Sequence, residues 1–306
     1  MDSDLGERTV GPRSAASDPA AGRAVAATGP SPEEIALVAR AVRGDAAAVT
    51  EVVRALQTPV YRLALRMTGR PADAEDATQE ILLRALTRLA TWRAEATLLT
   101  WAYRIGVNHL LDAARKSPQE IANLSLDEFG EGLVEGQASA DYRGTDAALL
   151  AAEVRLRCSQ AMLQCLTRAE RVVFVLHDVF EMPSADAAWI LDTTPAAYRK
   201  RWERVRGRMA AFLTATCGRV DAGASCRCSR RVANAIDLGR IDPRRPGLAT
   251  HPVTANGRDV EAVEQQMSRL HDAAAIFRLH PDYAAPEITR GAISELLRSG
   301  RFPMFD

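Results

Sequence analysis

The chain lacks several features that would assign it to common classes. Its 306 residues hold no apolar run of about eighteen residues, the length that a membrane-spanning helix needs. Its N-terminus lacks the basic and then apolar pattern of a secretory signal, so we expect a cytoplasmic protein. Aromatic residues make up only 5%, no stretch reads as a convincing strand, and Ala, Leu and Arg abound. Because these three residues lose little on entering a helix, the composition predicts an all-α protein.

The chain also has no net charge, with 39 basic and 39 acidic residues. Neutrality argues against nucleic-acid binding only if the charge is spread evenly, and here it is not. Residues 117–146 contain one base, Arg143, and seven acids: Glu120, Asp127, Glu128, Glu131, Glu135, Asp141 and Asp146. Residues 199–208 contain one acid, Glu203, and six bases: Arg199, Lys200, Arg201, Arg204, Arg206 and Arg208.

Breaks in the helical pattern divide the chain into segments. Two stretches with helical periodicity are each long enough for a small helical domain. An acidic linker without an apolar period separates them, and we expect it to be flexible. The predicted division is a disordered tail over 1–31, a helical domain over 32–116, the linker over 117–149, a second helical domain over 150–214, and a C-terminal Cys-containing helical extension over 215–306.

The second domain contains a helix-turn-helix pattern. Residues 184–191 predict a short helix, and Thr194 followed by Pro195 predicts the start of a second. In the second helix Tyr198, Trp202, Val205 and Met209 recur at helical spacing and should pack inward. The opposite, basic side suits a DNA major groove. A solvated basic face is the plainer interpretation, although six bases against one acid exceed what solubility requires.

The first domain offers two candidate surfaces. In the helix over 72–90, Asp76, Gln79 and Glu80 share a side at spacings of three and four. They indicate either a docking surface or acids that complement the helix dipole. In the helix over 97–116, one edge carries an aromatic, an amide and cations that suit unpaired bases and their backbone: Trp101, Arg104, Asn108, Arg115 and Lys116. Trp101 also fits a plain core position.

The order of these motifs resembles that of extracytoplasmic-function sigma factors of RNA polymerase. Residues 73–86 (DAEDATQEILLRAL) and 100–112 (TWAYRIGVNHLLD) resemble region 2 of that family. Residues 163–209, with RVVFVLHD ahead of the helix-turn-helix, resemble its region 4. The resemblance covers 33–116 and 150–213, a little over half of the chain. Two motif blocks in the right order make it specific.

The resemblance implies a role for each candidate residue. Asp76, Gln79 and Glu80 match positions that dock on the clamp helices of the polymerase's largest subunit, with the flap as a second contact of the family. Trp101, Arg104, Asn108, Arg115 and Lys116 lie where the family melts and holds the minus-ten element. The residues implied in reading the minus-thirty-five element are Thr194, Arg199, Lys200, Arg201, Glu203 and Arg204. The chain departs from the family in having large aromatic rings at Tyr198 and Trp202, and WRAE at 92–95 where FRGE is usual.

The linker and the extension have open interpretations. The acidic residues of the linker either mimic nucleic acid in the RNA path of the polymerase or belong to a plain solvated tether. Cys217, Cys226 and Cys228 suggest a zinc site with His251, His271 or His280 as the fourth ligand, redox-sensitive thiols, or inert cysteines. No other cofactor is expected. An apolar seam from Val260 to Phe277 predicts a small bundle that acts as core or as a built-in anti-sigma domain, and a separate anti-sigma factor is a further possible partner.

Three classes of function can be compared against the sequence. A sigma factor for a stress- or signal-responsive regulon explains both motif blocks. A stand-alone repressor or response regulator explains only the helix-turn-helix. An enzyme is disfavoured because no phosphate loop or nucleophile–base pair accompanies the cysteines.

Overall fold

The computed structural model describes residues 26, 28–116, 124–252, 275–278, 280, 281 and 283–286, with side chains omitted at 113–116 and 275. The helices are α1 Pro32–Val42, α2 Ala46–Thr68, α3 Pro71–Thr87, α4 Leu98–Lys116, α5 Leu126–Glu135, α6 Ala147–Gln164, α7 Arg168–Phe174, α8 Ser184–Ile190, α9 Pro195–Thr216 and α10 Cys228–Asp237. A 3-10 turn Leu89–Thr91 follows α3, a π-helical turn Val175–Val179 follows α7, and Ala275–Arg278 forms one more helical turn. The described residues form no strand, so the predicted all-α fold is confirmed. Among them, no helix has the length and apolarity that crossing a membrane requires.

Side-chain caps and a left-handed glycine begin and end several helices. Ser31 accepts a hydrogen bond from the amide of Glu34 at the start of α1, and Thr194 accepts one from Ala197 at the start of α9. Gly69 ends α2 with φ of 80°, a left-handed conformation that costs glycine little. The cap at Thr194 fixes the start of α9, the helix that carries the basic surface.

The first domain is built around α2. Its buried side chains, among them Val52, Val60 and Leu63, contact α3 and α4, where Ile81 and Val107 are fully buried. Gly106 lies at this contact, where a Cβ would be in van der Waals contact, 3.4 Å from side-chain atoms of Ile81 and Leu63. The outer side of α3 remains exposed at Asp76 and Glu80, whereas α4 also contacts α8.

The second domain surrounds a buried guanidinium. Arg171 on α7 donates hydrogen bonds to the carbonyls of Leu163, Gln164 and Leu166 at the end of α6, and to that of Met67 in the first domain. The last carbonyls of a helix have no hydrogen-bond partner within it, and the Arg171 guanidinium donates to them instead. The same residue joins the two domains, because Met67 belongs to α2.

Two helices lie where the sequence pattern predicts irregular chain. The expectation for 117–149 is wrong at α5, where Ser125 and Glu128 form a reciprocal capping box and Phe129 packs on Phe212 of α9. In the extension, residues 217–257 show no helical periodicity in the sequence, yet α10 forms there and packs along α6. Short helices of this kind are stabilised by tertiary packing, which local periodicity does not reveal.

Described parts of the C-terminal extension lie across both domains. Nε2 of His251 hydrogen-bonds the Tyr61 hydroxyl at 2.9 Å in the first domain, and the guanidinium of Arg62 donates to the Tyr283 carbonyl at 3.2 Å. On the second domain, the Phe277 ring meets that of Phe174 at 4.9 Å between centroids. The extension therefore holds the two domains against each other. The predicted disordered tail and the apolar seam from Val260 to Phe277 lie largely outside the described residues.

His280 makes the contact between the extension and the second domain sensitive to acid. Its imidazole is buried beside Arg66 and Arg155, and hydrogen-bonds Ser159 at 2.6 Å and Tyr283 at 3.3 Å. Burial, and then the two arginines, hold the pKa of His280 well below the ordinary value of 6.5, so the folded state keeps it neutral. The unfolded state takes up a proton below its pKa of about 6.5, which lowers the free energy of unfolding as the pH falls.

We expect His280→Asn to weaken this pH dependence. Between pH 7.5 and 5.5 the wild-type protein should lose about 1 kcal/mol more stability than the variant, since Asn does not titrate. Urea unfolding at both pH values measures the difference. Equal losses in the two proteins would show that His280 does not titrate as described.

Candidate nucleic-acid interface

The helix-turn-helix consists of α8, a four-residue turn over 191–194 and α9. Asp192 turns the chain with φ of 51°, and Pro195 then opens α9. All six residues predicted to contact duplex DNA are exposed on the described surface: Thr194, Arg199, Lys200, Arg201, Glu203 and Arg204. They form one continuous surface on the first turns of a helix long enough to lie in a major groove.

The inward side of α9 explains the two large aromatic residues. The hydroxyl of buried Tyr198 donates to the Val173 carbonyl at 3.0 Å. The indole nitrogen of Trp202 donates to the Asp178 carboxylate at 2.6 Å, and its ring lies 4.0 Å from that of His177 between centroids. These rings hold α9 on α7 and the π-helical turn, so the departure from the family pattern lies on the packing side of the helix, not on its basic side.

The predicted docking residues share the exposed side of α3. Asp76 and Glu80 are exposed and Gln79 is half-buried between them. Glu80 lies 3.8 Å from Arg84 one turn later, an exposed pair that contributes little to stability. Asp76 and Glu80 lie beyond the first turn, so a dipole-complementing role accounts for them less well than for Asp73.

The predicted minus-ten residues on α4 are only partly accessible. Asn108 is exposed, whereas Trp101 is half-buried against the core, as its alternative interpretation predicts. Arg104 points at the helix-turn-helix: its guanidinium donates to the Trp189 carbonyl at 3.0 Å and to the Asp192 carboxylate at 3.1 Å. It also lies 4.8 Å above the Trp189 ring. The side chains of Arg115 and Lys116 lie outside the described residues.

Comparison with known proteins matches both domains to one family. Residues 52–118 match Sigma-70 region 2, and residues 156–209 match Sigma-70 region 4. The first match runs from α2 through α4, and the second runs from α6 into α9 and so includes the helix-turn-helix. The chain belongs to the sigma-70 family, in its extracytoplasmic-function group.

Individual relatives agree with this membership. The RNA polymerase sigma-H factor of Pseudomonas aeruginosa is 28% identical over 174 residues, which cover 56% of this chain and 88% of that protein. The ECF RNA polymerase sigma factor SigW of Bacillus subtilis is 29% identical over 54% of this chain and 88% of its own length. SigJ of Mycobacterium tuberculosis is 35% identical over 50% of this chain, and the matched part spans about half of SigJ, 47%.

Sigma factors are transcription initiation factors and not enzymes, and as a family they bind RNA polymerase core and promoter DNA. In this sigma factor both family matches end by residue 209, so the whole extension lies beyond them. The sequence pattern identifies the candidate residues of the two matched regions. It does not identify Trp189 and Asp192 as partners of Arg104. No local signal identifies that pairing, because it joins residues 85 and 88 positions apart.

The three predicted metal ligands of this sigma factor lie together, but their expected histidine partners do not join them. Cys217 and Cys226 are paired in an isolated parallel bridge, and Cys228 begins α10. His251 contacts Tyr61, and His280 contacts Ser159, while His271 is outside the described part of the chain. Within that part, no three His, Cys, Asp or Glu side chains already have the arrangement of a metal site.

Proposed function

We propose that this sigma factor docks on the clamp helices of RNA polymerase core, directs the enzyme to specific promoters and helps to melt the minus-ten element. The genes concerned would form a stress- or signal-responsive regulon. The observation that carries the proposal is that one chain holds both matched regions, with an acidic docking surface on α3 and a basic surface on α9. A repressor would need only the second of these surfaces.

The docking surface can be tested with two double variants that remove the same charge. In full-length protein, Asp76→Asn with Glu80→Gln removes two exposed acids from the docking surface, and Asp73→Asn with Glu75→Gln removes two acids from the same helix outside it. We expect the first pair to weaken binding to core polymerase about 10- to 100-fold, because each docking residue should contribute more than about 1 kcal/mol. The second pair should change it by less than about threefold.

Binding to core polymerase can be measured by fluorescence anisotropy of labelled sigma factor. Equal losses in the two variants would indicate a nonspecific charge effect. No loss in either would contradict docking through this surface.

We also propose that the C-terminal extension restrains the two regions as a built-in inhibitor. Arg104, which the family resemblance places at the minus-ten element, is engaged by Trp189 and Asp192 of region 4. The extension adds contacts to both regions at Tyr61 and Phe174. Promoter engagement by Arg104 would require these contacts to open, which supports a closed state that differs from the active one.

A further inference from the structure

The backbone of the extension is hydrogen-bonded to the backbone of the acidic linker. The amide of Ala138 donates to the Arg230 carbonyl at 3.0 Å, and the amide of Tyr142 donates to the Ser229 carbonyl at 3.1 Å. Both acceptors belong to the first turn of α10. Linker residues 138–142 therefore lie along the start of that helix.

Polar side chains add to this contact. The Asp141 carboxylate accepts a hydrogen bond from the Ser229 hydroxyl at 2.8 Å, and the Arg230 guanidinium lies 3.4 Å from the same oxygen. The amide of Arg227, just before α10, donates to the side-chain carbonyl of Gln137 at 2.8 Å. The ion pair is exposed and contributes little by itself, so the backbone and buried groups provide most of the contact.

The guanidinium of Arg231 caps the C-terminal end of α5 in the linker. Arg231 is only 4% exposed, and it donates to the carbonyls of Gly132 and Leu133 at 3.0 and 3.1 Å. These carbonyls belong to the last turn of α5, where the helix supplies no partner of its own. A cation at this end also complements the helix dipole. Helix α5 therefore keeps its C-terminal cap only while α10 is in place.

Apolar packing holds α10 on α6. Val232 and Ala235 of α10 share a buried cluster with Leu150 and Val154 of α6, and the Tyr142 ring of the linker packs against the same cluster. Helix α10 thus contacts α6 and the linker together, while the other end of the linker is held where α5 packs on α9.

This folded linker does not suit a sigma factor bound to a promoter. Helix α4 of region 2 contacts α8 of region 4. The minus-ten and minus-thirty-five elements are about 25 base pairs apart, which is about 85 Å of duplex, whereas a small helical domain is about 30 Å across. Two domains in contact cannot read both elements, so they must separate and the linker must lengthen. An extended chain spans about twice the length per residue of a helix.

We propose that α10 is a latch for the linker. It holds residues 125–142 folded in the free sigma factor and releases them when core polymerase binds the two regions apart from each other. The inference rests on the proposed function and deepens it, because the linker itself is the element that the extension holds. Release would remove the Arg231 cap from α5 and free the segment to extend.

Two glycines of the linker provide matched variants. A Cβ at Gly136 would overlap the Arg231 guanidinium and displace it from the α5 carbonyls. A Cβ at Gly132 would meet no described atom within 4 Å outside its own helix. Gly136 has φ of −87°, which alanine adopts without strain, so Gly136→Ala changes the contact with α10 and Gly132→Ala does not.

Hydrogen exchange of the free, full-length protein measures the latch, with circular dichroism to verify folding. The amides of Ala138 and Tyr142 should be protected in the wild type, because they donate to α10. We expect Gly136→Ala to raise their exchange rates at least about tenfold, and Gly132→Ala to leave them unchanged or lower. Unprotected amides in the wild type, or equal rates in the two variants, would overturn the latch.

Förster energy transfer between dyes at positions 139 and 240 measures release. Ser139 in the linker and Arg240 after α10 are both exposed, and non-natural amino acids carry the dyes without use of the native cysteines. We expect the transfer efficiency to fall by at least about half when core polymerase binds, since the released segment extends. Unchanged transfer in a verified complex would overturn release. A chain that does not bind core polymerase would contradict both the proposed function and release, whereas hydrogen exchange would still show whether α10 holds the linker.

Discussion

Replacing Lys200, Arg201 and Arg204 together with Gln is expected to lower transcription from the cognate promoter at least about 100-fold. Each residue is exposed on α9, and the side chains that hold this helix in place lie on its other side. A side chain that contacts a base or a phosphate contributes about 1–3 kcal/mol to promoter binding, so the loss of three multiplies into a large effect. Binding to core polymerase should not change, because the docking surface is on α3.

A charge-matched control separates recognition from bulk charge. Arg240, Arg244 and Arg245 are exposed in the extension, and their replacement by Gln removes the same three charges. We expect this variant to retain transcription within about threefold. In vitro transcription at two salt concentrations measures both variants. Equal losses would mean that α9 acts only as a cationic surface, and unchanged activity in the α9 variant would contradict its role in promoter recognition.

Deleting residues 217–306 is expected to raise promoter-dependent transcription by about tenfold. In the proposed closed state Trp189 and Asp192 engage Arg104, and the extension would stabilise that state through His251 and Phe277. Coupling free energies between such states are typically about 1–3 kcal/mol, which corresponds to about 5- to 150-fold. The deletion removes the stabilising contacts and leaves both matched regions intact, since these end by residue 209.

A point variant tests the same closed state without removing the extension. Asp192→Asn removes the ion pair to Arg104, whose side chains are 22% and 59% exposed, and should raise transcription about two- to fivefold. The effect is smaller because Arg104 retains the Trp189 carbonyl and ring. Unchanged or lower transcription in both the deletion and the point variant, with folding verified by circular dichroism, would contradict restraint by the extension.

Much of the fold was predictable because its signals are local. The cap at Thr194, the proline after it and the spacing of Tyr198 and Met209 specify α9 before any packing is known. The basic side of that helix follows directly from the same periodicity. Both matched regions were therefore identified from the sequence, together with the exposed residues of α9 and α3.

The features that the sequence did not reveal depend on contacts between distant residues. Helix α5 has a capping box at Ser125 and Glu128, but its stability relies on Phe129 packing against Phe212. Helix α10 packs along α6, and this contact joins parts of the chain that no local pattern links. The engagement of Arg104 by Asp192 likewise has no local signature.

Run-off transcription shows whether this sigma factor can start transcription at specific promoters. Purified core polymerase is combined with genomic promoter fragments and either the full-length chain or a chain without residues 217–306. We expect discrete run-off products that require the sigma factor, in larger amount without the extension. No specific initiation with either form would contradict this expectation.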